Sequence, residues 1–183
     1  TIRVKGAAPV VVTLQYTRHG PVLMTDSAKR VAVALRAAWL EPGGAPYLAS
    51  LRLDQARTWS EARTALSFAR MPALNWIWAD TSGAIGWQSA GIAPIRKNWD
   101  GLVPVPGDGR FEWSGFLPIP QLPHETSPSR GYVGTANALN VEASYPNANA
   151  LARTWAEPFR RDRLLDMTQL TPFRKRLADQ LSG

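Results

Sequence analysis

Apolar residues alternate loosely along the N-terminal part of the chain. Ile and Val at 2–4 and the β-branched run at 10–14 follow a period of about two, which is typical of strands. We therefore expect two strands within residues 2–17, joined by a turn at residues 6–9. A second turn is expected at residues 17–22, since a Gly-Pro pair does not continue a β-ladder.

The pattern then changes from strand to helix. Residues 31–39 fit either a buried strand or a helix, and the alternation of Val and Leu before Pro-Gly-Gly at 42–44 favours the strand. Thr58 and Glu61 have the spacing of a capping box. We expect a helix over residues 59–70, closed by the proline that follows.

A hairpin and a proline-rich segment come next. Residues 74–80 and 84–89 are separated by an Asp-Thr-Ser-Gly turn, which predicts two antiparallel strands. Residues 91–128 contain too many prolines and glycines for regular elements, so we expect a long functional or covering loop. A last short strand is predicted over residues 131–137.

Two helices are predicted at the C-terminal end. They cover residues 158–167 and 172–181, the second with Thr171 as its N-cap and Pro172 at its first position. The chain has no internal repeat and no low-complexity tract, so these elements describe one non-repetitive body.

The composition excludes several kinds of site. Of the 183 residues, 45% are hydrophobic and 19% are charged, which provides enough apolar material for a packed core. There is no cysteine, so disulfides, thiolate metal sites and cysteine nucleophiles are excluded. The two histidines, His19 and His124, are too few for a multi-histidine metal centre.

The chain is basic, with 21 Lys and Arg against 14 Asp and Glu and a formal net charge of +7. The cations are densest in residues 153–176, where acidic residues are interspersed among them. That mixture is typical of a solvated helix face, and a nucleic-acid groove is the alternative. No apolar run approaches the ~18 residues of a membrane span, and residues 1–5 lack a signal-peptide pattern.

Residue type alone gives the chain no self-sufficient active site. The sequence has no Gly-x-Ser-x-Gly nucleophile elbow, no phosphate-binding Gly-Lys loop and no dinucleotide fingerprint. Neither histidine has an obvious base-plus-acid context. Any chemistry must therefore depend on residues that these motifs do not describe.

Six segments, taken in order, carry a resemblance that none of them carries alone. They are residues 17–22 (T-R-H-G-P-V), 75–86 (N-W-I-W-A-D-T-S-G-A-I-G), 93–96 (A-P-I-R), 104–107 (P-V-P-G), 112–115 (E-W-S-G) and 131–137 (G-Y-V-G-T-A-N). Over nearly the whole chain they resemble the penicillin acylase family of N-terminal-nucleophile hydrolases.

The resemblance implies an α+β fold, part of an αββα sandwich with mostly antiparallel sheet, in which residues 1–183 are a single partial domain of a β chain. In that family a serine, exposed by autocatalytic cleavage, attacks an amide carbonyl with its own α-amino group as base, and such an amine titrates near a pH of about 8. The resemblance places this serine upstream of the chain. The isolated chain is therefore expected to be inactive.

The partners and location are likewise implied by the resemblance. They are a small-molecule linear amide as substrate, and the rest of the β chain and an α chain from the same precursor. A bacterial periplasmic or secreted location is expected, with no nucleic acid and no membrane span. Three alternatives stay open: Thr1 as the nucleophile, a family member that has lost activity, and a non-enzymatic module that holds nucleic acid or carbohydrate on an open Trp- and Arg-bearing sheet.

The resemblance places the oxyanion-hole asparagine at Asn137. A side-chain N–H₂ group fixed at this position can donate to a developing alkoxide, and a turn-capping asparagine is the structural alternative. Ala138 stands where many relatives have a second asparagine. Arg160 resembles the family arginine that lies near the oxyanion asparagine and orients substrate; Arg163 is the next candidate, and a surface helix cation is the alternative.

The family often holds a structural calcium ion. By the same resemblance, Asn149 falls at the position of a carboxylate ligand and Gly101 at that of a backbone carbonyl ligand. A neutral Asn oxygen binds a hard cation more weakly than a carboxylate does. The remaining ligands would lie outside the chain.

The aromatic residues and histidines are expected to be structural. His19 should bond the turn backbone, and His124 should lie exposed in the proline-rich loop. Five tryptophans are expected in core or sheet packing, with an acyl pocket as the minor alternative for the first two: Trp76, Trp78, Trp87, Trp99 and Trp113.

Overall fold

The computed structural model describes residues 1–45, 47–138, 140–141, 144–147, 151, 157–168 and 170. Its strands are β1 (Tyr16–Thr17), β2 (Gly20–Asp26), β3 (Val31–Ala34), β4 (Leu74–Ala79), β5 (Ile85–Ala90), β6 (Ala93–Arg96), β7 (Trp113–Leu117) and β8 (His124–Thr126). Its α-helices are α1 (Leu48–Leu53), α2 (Trp59–Leu66) and α3 (Phe159–Met167), and short 3₁₀ helices cover Ala38–Leu40 and Ile119–Gln121. The strands form antiparallel sheets in the orders β1-β2-β3, β4-β5-β8 and β6-β7. Antiparallel sheets with few helices confirm the α+β class.

The β4–β5 hairpin is the predicted one, and its turn is fixed by Asp80. One carboxylate oxygen of Asp80 accepts the backbone N–H groups of Ser82 and Ala84 at 2.9 and 3.1 Å. The other accepts the indole N–H of Trp78 at 3.0 Å. The side-chain hydrogen bonds from Ser82 and Trp78 lower the pKa of Asp80 to about 2. The carboxylate therefore stays ionised and keeps the turn closed.

Helix α2 covers one face of the β4-β5-β8 sheet and makes the main core. The ring of Trp59 lies against Gly86, where an added Cβ would come within 2.3 Å of the ring. Its indole N–H donates to Oγ1 of Thr126 at 2.8 Å. Only a glycine leaves room for the ring at this crossing. The buried core residues are Trp59, Ala62, Leu66, Ala69, Ala90, Ala93, Leu117, Ile119 and Leu122.

The predicted cap of α2 is confirmed. The Thr58 hydroxyl accepts the backbone N–H of Glu61 at 3.3 Å, and the Glu61 carboxylate reaches back to the N–H of Arg57 at 2.7 Å. The Thr58 hydroxyl thus satisfies an N–H group that the first helical turn leaves unpaired, and Glu61 ties the residue before the cap to the helix. The helix ends at Leu66 rather than at residue 70, and the short helix α1 before it was not predicted.

The prediction of two strands within residues 2–17 is wrong for most of that segment. Ile2 and Val10 form one isolated bridge, and only Tyr16–Thr17 belongs to a strand. Val11 and Leu14 remain 77% and 70% exposed. An alternating apolar pattern becomes a strand only where a neighbouring strand pairs with it and a packed surface covers it.

Prolines proved compatible with strands at two places where we predicted turns or loop. β2 begins at Gly20 in the predicted turn, and the carbonyl oxygen of Pro21 accepts the N–H of Leu35 at 2.9 Å. Pro94 lies in β6 opposite Phe116 of β7. A proline loses only its N–H group, so it can stand in a ladder where that donor is not needed. The predicted irregular loop over residues 91–128 is therefore wrong.

Three further predictions concern the remaining elements. The strand favoured within residues 31–39 is present as Val31–Ala34, and the helix at 158–167 is present as α3. The predicted helix at 172–181 lies outside the described residues. Among the residues that the structure describes, no helix has the length and apolar character needed to cross a membrane.

Candidate active site

The segment that leads to Asn137 is not the strand that we predicted. Gly131 closes a turn with φ +76°, its N–H donating to the carbonyl of Pro128 at 2.9 Å. Just before it, Arg130 makes a two-pronged contact with the Glu125 carboxylate of β8, with Nη1 at 2.8 Å from Oε1 and Nη2 also bonded. Side-chain hydrogen bonds, and not a β-ladder, hold this segment. The strand predicted over residues 131–137 is therefore wrong.

Asn137 has a left-handed backbone conformation, with φ +61°. Asparagine tolerates this region better than most residues do. Its side chain is exposed in this chain, whereas the next residue, Ala138, is 4% exposed. The buried alanine anchors the backbone and the exposed amide can reach a ligand.

Arg160 is brought onto Asn137. Its Nη1 donates to Oδ1 of Asn137 at 2.8 Å. A guanidinium can only donate, so the carboxamide oxygen faces Arg160 and the N–H₂ group is the end turned away from it. The pair therefore presents a donor whose orientation is set by a charged neighbour.

Helix α3 supplies this arginine from its first turn. Pro158 precedes the helix and Arg160 follows two residues later. The helix lies beside the segment, because an added Cβ on Gly134 would meet Cδ2 of Leu164 at 3.7 Å. Sequence alone left Arg160 and Arg163 as neighbouring candidates, and the hydrogen bond to Asn137 comes from Arg160.

The predicted calcium ligands are Gly101, which the structure describes, and Asn149. Gly101 has φ +85°, an added Cβ would lie 2.9 Å from Nε of Arg96, and the carboxylate of Asp100 accepts the N–H of Leu102 at 3.0 Å across it. Within the described ranges, no three His, Asp or Glu residues come together as a metal-binding group. Asn149 lies outside those ranges. The calcium assignment of Gly101 and Asn149 stays a prediction.

A second polar cluster ties the N-terminal sheet to the approach to β7. The Glu112 carboxylate accepts from Nε2 of His19 at 2.7 Å, from Arg18 at 2.8 Å and from Arg36 at 3.1 Å. The hydrogen bond from His19, with the charges of the two arginines, lowers the pKa of Glu112. His19 is structural as predicted, but its ring bonds this carboxylate rather than the turn backbone.

The five tryptophans named above are buried or half-buried. Trp87 is 5% exposed, and the guanidinium of Arg36 lies 4.4 Å from the ring centroid of Trp113. His124 is exposed as predicted, but on strand β8 rather than in a loop. Trp78 lies beside the ring of Trp59, and the guanidinium of Arg96 lies 5.7 Å from the ring centroid of Trp99, so these rings pack within the chain as predicted.

Comparison with known proteins identifies the family. The model of the penicillin amidase family matches residues 1–178. This chain belongs to that family. It is 33% identical over 187 aligned positions to the penicillin G acylase of Escherichia coli, covering 98% of the chain and 21% of that protein. It is also 33% identical over 171 positions to the acyl-homoserine lactone acylase QuiP of Pseudomonas fluorescens strain Pf0-1, covering 91% and 21%.

The fold agrees with the family. A solved structure of the thermostable penicillin G acylase from Alcaligenes faecalis matches with a TM-score of 0.72 at 30% identity, over 84% of this chain and 28% of that one. The predicted resemblance and the N-terminal-nucleophile hydrolase fold are therefore confirmed. The chain spans about a fifth of the length of the curated relatives that it matches.

Asn75 is a residue of this site to which we predicted no role from the sequence. Its amide accepts the indole N–H of Trp87 at 3.0 Å and contacts Oγ1 of Thr135 at 3.3 Å. The signal available was its place as the first residue of the motif at 75–86, which we used for the family resemblance without assigning a role to Asn75.

Proposed function

We propose that this chain is part of the β chain of an amidohydrolase that cleaves a linear carboxamide into a carboxylic acid and an amine. The family membership supports an acylase or amidase chemistry, since the matched relatives are a penicillin G acylase and acyl-homoserine lactone acylases. The observation that carries the proposal is the 2.8 Å hydrogen bond from Arg160 to Asn137.

In this proposal the N–H₂ group of Asn137 donates to the oxyanion of the tetrahedral intermediate. The carbonyl oxygen of the substrate gains negative charge when the nucleophile attacks, and a donor held in place stabilises that charge without reorganisation. Arg160 occupies the amide oxygen, which withdraws electron density and makes the N–H groups of Asn137 better donors. A donor of this kind contributes about 10²–10³ in rate, or about 2.7–4 kcal/mol.

The rest of the machinery lies in the remainder of the protein. We propose that the nucleophile is a serine at the amino end of the β chain, upstream of this segment, with its own amine as the general base. An α chain from the same precursor and the rest of the β chain complete the substrate site. We further propose a periplasmic location, and a structural calcium ion that uses Gly101 and Asn149 together with ligands from outside the chain.

A comparison of two proteins tests the proposal. The complete precursor and the isolated 183 residues are assayed with phenylacetyl and fatty-acyl amides of a chromogenic amine. We expect the complete protein, once processed, to release the amine from at least one of them and the isolated chain to release none. Turnover by the isolated chain would place the nucleophile within these residues, Thr1 being the candidate, and would overturn the assignment of an upstream serine.

A further inference from the structure

One face of the β4-β5-β8 sheet supports the segment that ends at Asn137. The strand register puts Asn75 opposite Ser89 and Trp87 opposite Glu125. Residues directly opposite or two apart on paired strands share a face. Each of the three strands therefore contributes one side chain to the same face, and this is the face away from helix α2.

The orientation of the Asn75 amide is fixed by its neighbours. The indole N–H of Trp87 can only donate, and it bonds Oδ1 of Asn75 at 3.0 Å. The N–H₂ group of Asn75 is then directed to Oγ1 of Thr135 at 3.3 Å. Because Trp87 is 5% exposed, its ring is held by packing and serves as a rigid reference for the amide.

Thr135 lies two residues before Asn137 in a segment without a strand ladder. The segment is tied to β8 at its start through Arg130 and Glu125. Further along, the hydroxyl of Tyr145 donates to the carbonyl of Gln121 at 2.8 Å. The contact of Asn75 with Thr135 falls between these two hydrogen bonds in sequence, and of the three it is the nearest to Asn137.

We propose that Asn75 is a positioning residue for Asn137. Its amide bonds the indole N–H of the buried Trp87 ring on one side and the hydroxyl of Thr135 on the other. These two hydrogen bonds hold the backbone that carries the oxyanion donor. This inference rests on the proposed function of Asn137. It assigns Asn75 no contact with substrate, so its effect must pass through the asparagine at 137.

The test uses the complete, processed enzyme and a chromogenic amide substrate. Asn75→Ala removes the donor of the hydrogen bond between the two residues. Thr135→Val removes only the accepting hydroxyl, and Thr135→Ser keeps that hydroxyl. Asn98→Ala, which deletes another exposed asparagine that bonds a backbone carbonyl at 3.2 Å, is the matched control. The kcat is calculated per molecule of processed enzyme, quantified by mass spectrometry, so that a loss of maturation is not mistaken for a loss of catalytic rate.

We expect Asn75→Ala and Thr135→Val each to lower kcat on the order of 10-fold, less than the ~10²-fold that a 1 Å misplacement can cause. KM should stay nearly constant, Thr135→Ser should recover most of the rate, and the control should keep it. In a background of Asn137→Gly, Asn75→Ala should lower kcat no further, because the group through which it acts is gone.

The outcomes separate the two hypotheses. If Asn137→Gly leaves kcat unchanged, the proposed function of that residue fails. If Asn137→Gly lowers kcat but Asn75→Ala and Thr135→Val do not, only the positioning role fails. Equal losses from Asn75→Ala in both backgrounds would show a general structural effect and would also overturn the positioning role.

Discussion

Arg160 reaches 23 residues back along the chain and bonds Oδ1 of Asn137 at 2.8 Å. The bond joins the first turn of helix α3 to a residue in the left-handed backbone region. It sets which end of the carboxamide is available, since a guanidinium leaves only the N–H₂ group to donate elsewhere. We propose that this orientation makes the N–H₂ group of Asn137 the oxyanion donor.

The first prediction concerns the arginine. Arg160→Ala frees the amide of Asn137 to rotate, so we expect kcat to fall by up to about 10²-fold, the loss that a misplaced group can cause. Arg160→Lys should recover only part of the rate, because an ammonium lacks the planar fork of donors. Steady-state kinetics of the complete enzyme measure both. Arg163→Ala should retain the rate, and a loss there instead would favour the other candidate arginine.

The second prediction concerns the pH dependence of stability. The folded-state pKa of Glu112 is lowered by its hydrogen bond from His19 and by Arg18 and Arg36. Its stabilising contribution is complete above the unfolded pKa of about 4.3 and is lost as the pH falls through the lower folded value. Thermal unfolding of Glu112→Gln should therefore depend less on pH below about 4.5 than that of the unsubstituted protein.

A carboxyl outside this cluster supplies the control for that experiment. Asp54→Asn replaces an exposed carboxyl just after helix α1. We expect it to keep the pH dependence of the unsubstituted protein. If Glu112→Gln also keeps it, the cluster of His19, Arg18 and Arg36 does not stabilise the fold through this charge.

The third prediction concerns packing in the core. Gly86→Ala places a methyl group where the ring of Trp59 would be 2.3 Å away, so the ring or the strand must move. Overpacking of this kind costs about 1–3 kcal/mol in the free energy of unfolding. Urea unfolding measures the change. Gly134→Ala is the matched control, since its methyl would meet Leu164 at 3.7 Å, an ordinary contact; equal stabilities of the two variants would contradict the packing account.

Local chemistry predicted part of the fold. The Asp80 turn and the Thr58 cap are decided by side chains within four residues of the groups that they bond, and both are present as predicted. Residues 2–17 also have an alternating apolar pattern, yet their exposed side chains show that no described surface covers them. Pairing partners distant in sequence decide such segments, and periodicity carries no information about them.

In the candidate site, too, some features could be predicted from the sequence and others could not. The resemblance placed Asn137 and Arg160 near each other, and the structure brings them into contact, although their catalytic roles stay predictions. The predicted strand at 131–137 is absent because the segment is held by hydrogen bonds from the side chains of Asn75 and Arg130 and not by a β-ladder. Such long-range amide and guanidinium contacts leave no spacing pattern in a single sequence.

The proposed role of Asn137 is tested most directly by the kcat of the processed enzyme with Asn137→Gly. Glycine keeps the left-handed backbone without strain and removes the side chain with its carboxamide. We predict a fall in kcat of about 10²–10³-fold with KM nearly unchanged, because the donor acts on the charge that develops in the transition state. A kcat within a factor of about two of the unsubstituted enzyme, with Asn98→Ala equally active, would contradict the claim.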